Sequence, residues 1–230
     1  MNNFLTTEKF LLFGDLHLNS RELAIACEEA GVDSILFHLN QDLGGGIRFG
    51  GLEIEQDSIR DSLSVLKIPT GIAIGDTRVL RGDDWEAIAR MGFSYVNMYA
   101  HQLPMFVWDD PRITKMVSIG PGYILEQVKA LSELDSVAAV VAALTPHQGV
   151  GQPFTMLDGT TLKLITNLSS KPVFVPTQRT IRPQDLHSMR KLGCKGLLLT
   201  TTVYGETPQS CRDKISSYRA ESVTAQIPPA

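Results

Sequence analysis

Short apolar runs alternate with helical patterns eight times along the 230 residues of this chain, and that alternation limits the fold more than any other feature. The runs are Phe10 to His17, Ser34 to Leu39, Thr70 to Ile74, Ser94 to Ala100, Lys115 to Ile119, Val137 to Leu144, Pro172 to Pro176 and Gly196 to Thr202. Between them lie stretches with helical spacing. Ser20 serves as an N-cap for a helix stopped by Gly31, and Gly92 stops the third helix. Strands that alternate with helices pair in parallel, because each crossover brings the chain back to the same sheet edge. Eight such units in about 220 residues favour closure of the sheet over an open, doubly wound one.

The expected fold is therefore α/β, a single (β/α)8 TIM barrel over residues 1–230, with its core at about 9–220 and 221–230 as a tail. The fourth helix is expected to be short or irregular, since Pro104 and Pro111 bracket it. The stretch from Gln41 to Glu55, with five glycines, reads as a long loop of the length at which loops tend to act as lids. No Gly-Lys-Ser/Thr follows the glycines, so it is not a P-loop.

Composition excludes several classes. Net charge is −4 and no basic stripe interleaved with aromatics occurs, which argues against nucleic acid as a partner. The longest apolar stretch, Val137 to Leu144, is too short for a membrane span. The first residues lack a basic region followed by a long apolar one, so a signal peptide is not expected. Cys27, Cys194 and Cys211 are odd in number and far apart, which fits neither a disulfide framework nor a zinc pair. A cytoplasmic setting follows. The apolar segment from Leu103 to Trp108 reads either as an interface for a homo-oligomer or as a helix packed on the barrel.

Four of the five histidines, His17, His38, His101 and His147, stand where a strand is about to end. In a TIM barrel these ends converge on one mouth, where the catalytic groups of such enzymes sit. Residues two apart in a strand share a face. Asp15 and His17 therefore form one set, His38 and Asn40 another, Asn97, Tyr99 and His101 a third, and Thr145 and His147 a fourth. Asp15 with His17 is expected to act as a base and its orienting partner. His38 also handles protons, while Asn40, Asn97 and Gln148 polarise a carbonyl. No lysine stands at a strand's C-terminal end, which disfavours a Schiff-base aldolase.

The segment from Lys171 to Thr202 resembles the last two βα units of the phosphate-binding TIM barrels, a superfamily that includes the ribulose-phosphate-binding barrels. The resemblance rests on the Pro-Val-Phe-Val strand from Pro172, the short helix opening around Pro183 and Asp185, Leu192-Gly193, and the final apolar strand from Gly196. It covers about the last third of the chain. It implies an anion site in the turns after strands seven and eight, carried over onto Thr177, Gln178, Arg179, Thr200 and Thr201. The glycine-rich turns usual in that superfamily are replaced here by hydroxyls and an arginine. Arg48 in the glycine loop is a further candidate for an anion. His38 and Asn40 also resemble the strand-two motif of pentulose-phosphate epimerases, with an amide in place of the carboxylate. Strand three, however, ends in Asp76 rather than a histidine, and strand seven has no acid.

Three functions are expected from these residues. The first is a metal-independent isomerase, epimerase or lyase acting on a phosphorylated or carboxylated small molecule. The second is a class II-type aldolase or a hydrolase with a divalent metal ion held by His17, His38, His101 and His147. The third is a catalytically silent barrel that binds a metabolite.

Overall fold

The computed structural model describes residues 4–224. Eight parallel strands close into a barrel: β1 (Leu11–Asp15), β2 (Ser34–Leu39), β5 (Thr70–Ile74), β6 (Tyr95–Tyr99), β7 (Thr114–Ile119), β8 (Val137–Ala142), β9 (Val173–Pro176) and β10 (Gly196–Leu199). Strands β3 (Gln41–Gly44) and β4 (Ile47–Phe49) form a separate antiparallel hairpin. The helices are α1 (Arg21–Glu29), α2 (Leu52–Leu63), α3 (Gly82–Ala89), α4 (Met105–Trp108), α5 (Leu125–Glu133), α6 (Met156–Leu168), α7 (Leu186–Lys191), α8 (Thr201–Tyr204) and α9 (Pro208–Thr224). The expected TIM barrel is present, with a one-turn fourth helix. Among the described residues no helix is long and apolar enough to cross a membrane.

Each barrel strand is largely buried on both faces, as a parallel sheet between a filled interior and an outer helix ring requires. Odd positions of β1, Leu11 and Phe13, face the barrel axis with Leu36, Tyr95, Met116, Phe174 and Leu198. The intervening positions, Leu12, Ile35, Val96 and Leu197 among them, face the helices. The bottom is plugged by the 3-10 turn Phe4–Thr6, whose Leu5 is buried and whose Phe4 ring lies 5.9 Å from that of Tyr95. Tyr95 crosses the barrel floor over Gly71, where a Cβ would stand 2.2 Å from its ring, so residue 71 has no room for a side chain.

Several boundaries differ from expectation. The stretch 41–55 is not structureless: it folds as the β3–β4 hairpin and then enters α2 at Leu52. The last strand ends at Leu199, and Thr200 caps the one-turn α8 instead of extending the strand to Thr202. The seventh helix opens as a 3-10 turn, Pro183–Asp185. Residues 221–224, read as tail, continue α9, and the remainder of that tail, 225–230, lies outside the described residues. In the segment Leu103 to Trp108, Val107 packs inward while Met105 and Phe106 are exposed.

Candidate active site

The interior-facing rows of four strands, β1, β2, β6 and β7, turn polar toward their C-terminal ends. Asp15 of β1, His38 of β2, Asn97 and Tyr99 of β6 and Ser118 of β7 all line a cavity at the C-terminal mouth, about 850 Å3 including its open end. Its floor is apolar, made by Leu36, Ala73, Val141 and Leu198. The stagger between strands brings two of the polar groups together. Asp15 is in register with Leu36, so His38, one interior step further along β2, meets Asp15 diagonally. His38 Nε2 stands 2.5 Å from Asp15 Oδ1. Asp15 therefore pairs with His38, not with His17 as the shared strand face suggested.

His38 is held on every side. Its Nδ1 lies 2.6 Å from Gln41 Oε1, the first residue of the hairpin, and its ring stacks on Phe49 at 4.7 Å between centroids. Asn19, itself buried, brackets the His38 backbone: Nδ2 donates to His38 O at 2.7 Å and His38 N donates to Asn19 Oδ1 at 3.0 Å. The same Nδ2 donates to Glu55 Oε2 at 2.9 Å, and Glu55 Oε1 accepts from Gly50 N at the hairpin's exit. With Gln41 as it stands, both ring nitrogens donate. With its amide turned over, Nδ1 accepts instead. In both cases Nε2–H points at Asp15. The second carboxylate oxygen, Oδ2, has no donor among the described residues, and Asp15 lines the cavity.

His17 lies beyond the end of β1, where the alternation of faces no longer applies. Tyr204 of α8 donates to Asp15 O at 2.6 Å, so its oxygen is left to accept from His17 Nδ1, 3.4 Å away. The neutral ring then presents Nε2 as its lone-pair nitrogen. Burial lowers the His17 pKa from its ordinary 6.5, against the opposing pull of Glu206. A neutral imidazole and a carboxylate thus line the same mouth.

Asn97 is buried, and its Oδ1 accepts from Ser118 Oγ at 2.8 Å. Its Nδ2 is buried with no acceptor among the described residues, in a residue that lines the cavity. Gln178 also lines the mouth with an unpartnered Oε1. Thr200 Oγ1 donates to Thr177 O at 3.1 Å, and Thr200 N donates to Thr177 Oγ1 at 2.9 Å. These two residues therefore satisfy each other and seal the β9–β10 seam. Thr201 and Thr202 also line the mouth.

The other expected residues stand apart. Asn40 forms the corner between β2 and the hairpin with φ 51°, and its backbone carbonyl presses against Gly75, where a Cβ would come within 2.5 Å. His101 is exposed, with Nδ1 2.6 Å from the Tyr123 hydroxyl. His147 and Gln148 are exposed on the loop after β8, and a Cβ added at Gly44 of the hairpin would stand 3.1 Å from the His147 ring. Arg48 is paired with Asp42 on the hairpin surface. Arg179 turns away from the mouth toward Asp158 and Gly149. His17, His38, His101 and His147 accordingly do not assemble as a ligand set, and among the described residues no group of three or more His, Cys, Asp or Glu is placed to hold a metal.

Gln41, Ser118 and Thr202 were not singled out in the sequence. Ser118 had a signal: it is the last inward position of its strand by parity. Gln41 had none, because the hairpin that carries it reads as a glycine loop.

By fold this is a closed eight-stranded TIM barrel. Tryptophan synthase α-subunit from Pyrococcus furiosus superposes with a TM-score of 0.71 at 13% identity over 92% of this chain and 98% of that one. Tryptophan synthase from Mycobacterium tuberculosis gives 0.70 at 17% identity over 93% and 92%. These likenesses concern the fold. No family model matches the chain, and no curated protein matches it by sequence.

Proposed function

We propose that this chain is a small-molecule enzyme, an isomerase, epimerase or lyase, that moves a proton at a carbon beside a carbonyl in a phosphorylated or carboxylated metabolite. The observation that carries this reading is the Asp15–His38 pair, 2.5 Å apart, in the lining of the mouth. Asp15 takes or returns the proton. His38, clamped by Gln41 and Asn19, orients the carboxylate and steadies its charge. His17 Nε2 serves as the second acid–base group. Asn97 Nδ2 donates to the substrate carbonyl as negative charge builds on its oxygen, which is where preorganised donors contribute most.

Among the described residues no lysine or arginine lines this mouth. An anionic group is therefore held by the Thr201 and Thr202 hydroxyls and the Gln178 amide, at the place where phosphate sites of such barrels lie, beside the short helix after the last strand. The fold neighbours are named as synthases, which favours an enzyme over a passive binder.

The test is proton exchange. Phosphorylated aldoses and ketoses and 2-keto acids are incubated with the protein in D2O and followed by proton NMR. Wash-in of deuterium at one carbon that disappears in Asp15→Asn supports the reading. Wash-in that Asp15→Asn leaves unchanged, or a ligand that binds the mouth with no exchange at any position, overturns it.

A further inference from the structure

A second cavity lies outside the barrel wall, between β8, β9 and α6, and encloses about 760 Å3 with its opening. Pro176 separates it from the mouth. Its walls are apolar, with Ala142, Leu162 and Val175 at the back and Phe154 at the side, and its one cation is Arg179. Small-molecule sites are mostly apolar with a few placed polar groups, and this lining has that character.

Arg179 is poorly satisfied. Its Nη1 donates to Gly149 O at 3.2 Å, and Nη2 reaches Asp158 Oδ1 only at 3.5 Å. Nε stands 3.2 Å from Asp158 Oδ2 but off the line of a hydrogen bond, and it is buried with no acceptor. Asp158 Oδ2 is already engaged: it accepts from Thr155 N at 2.8 Å and Thr155 Oγ1 at 2.7 Å as the cap of α6. Asp158 thus neutralises the guanidinium without saturating it. An unmade bond at a buried donor is costly, so a ligand that supplies the missing acceptor gains from it. A second carboxylate would meet Asp158, whereas a neutral oxygen would not.

We propose that this cavity is a second ligand site, for a neutral, mostly apolar small molecule with one carbonyl-type acceptor directed at the Arg179 guanidinium. Such a ligand also touches the mouth indirectly. Arg179 holds Gly149, Gly151 N donates to Gln178 O at 2.8 Å, and Val150 and Gln178 line the mouth.

The probe is 4-fluoroacetophenone, with fluorobenzene as the control that lacks the acceptor. Binding is followed by 19F NMR and by methyl shifts of the labelled full chain. Saturable one-site binding that moves the Ala142, Leu162 and Val175 methyls is expected. Arg179→Met should weaken the ketone about three- to tenfold, the effect of one lost hydrogen bond, and leave fluorobenzene unchanged. Thr161→Phe, which fills the cavity from α6, should weaken both and keeps the test open if Arg179→Met does not fold. Equal affinity for the two probes, methyl shifts confined to Val141 and Leu198 in the mouth, or no saturation at millimolar ketone would overturn the site.

Discussion

His38 Nε2 and Asp15 Oδ1 stand 2.5 Å apart at the ends of adjacent strands, and a buried asparagine, Asn19, fixes the backbone of the histidine on both sides. The pair is preorganised before any substrate arrives. If it moves a proton, Asp15→Asn should lower turnover of the substrate found by deuterium exchange by about 10²–10⁴-fold. The fold should survive, because the amide oxygen still accepts from Nε2–H. Near-wild-type turnover would overturn the role of this pair.

Asn97→Ala removes a donor that has no protein partner and empties a place beside Ser118. A loss in kcat with little change in KM is expected, since the bond to the carbonyl oxygen strengthens as charge develops. Steady-state kinetics read the split. A change confined to KM would make Asn97 a ground-state contact.

The pH dependence of stability carries a sign. Burial depresses the His17 pKa below 6.5, so the unfolded chain takes up its proton more readily than the folded one. The contribution of His17 is therefore complete above about pH 6.5 and is lost as pH falls through the lower, folded value. Urea midpoints at pH 5 to 8 should decline on the acid side less steeply in His17→Gln than in wild type. Parallel declines would place the loss on other groups.

Cys27 on α1 and Cys211 on α9 meet with their sulfurs 2.9 Å apart, both fully buried. Their mutual hydrogen bond and burial push the Cys27 thiol well up, and burial pushes Cys194 up to about 12. Thiolate is the reactive form, so the native protein should react with an aromatic disulfide reagent at none of its 3 cysteines. All should react in guanidinium. One rapid equivalent in the native state would show that α9 leaves α1.

Gly71→Ala should destabilise through contact with the Tyr95 ring, by about 1–3 kcal/mol as overpacked cores do. Chemical unfolding measures it, and pairing the change with Tyr95→Leu should recover part of the loss.

Periodicity along the chain was enough to determine the (β/α)8 order, the two-residue alternation that puts Leu11, Phe13 and Asp15 on one face, and the rule that polar strand ends gather at one mouth. These are local properties: a strand's faces and a helix's stripe are set by neighbours a few residues away. The pairing of side chains was not legible in the same way. Asp15 meets His38 because the barrel's stagger places β2 one interior step further along, and no single strand contains that offset. His17 turns to Tyr204 because β1 has already ended, so strand parity no longer governs it. Arg179 leaves the mouth because Gly149 and Asp158, on a different loop and helix, offer it acceptors. Gln41 enters the site because Asn40 turns the chain at a positive φ into a hairpin that glycines disguise as a loop. Contacts between distant segments depend on register and closure, which exist only once the eight strands have met.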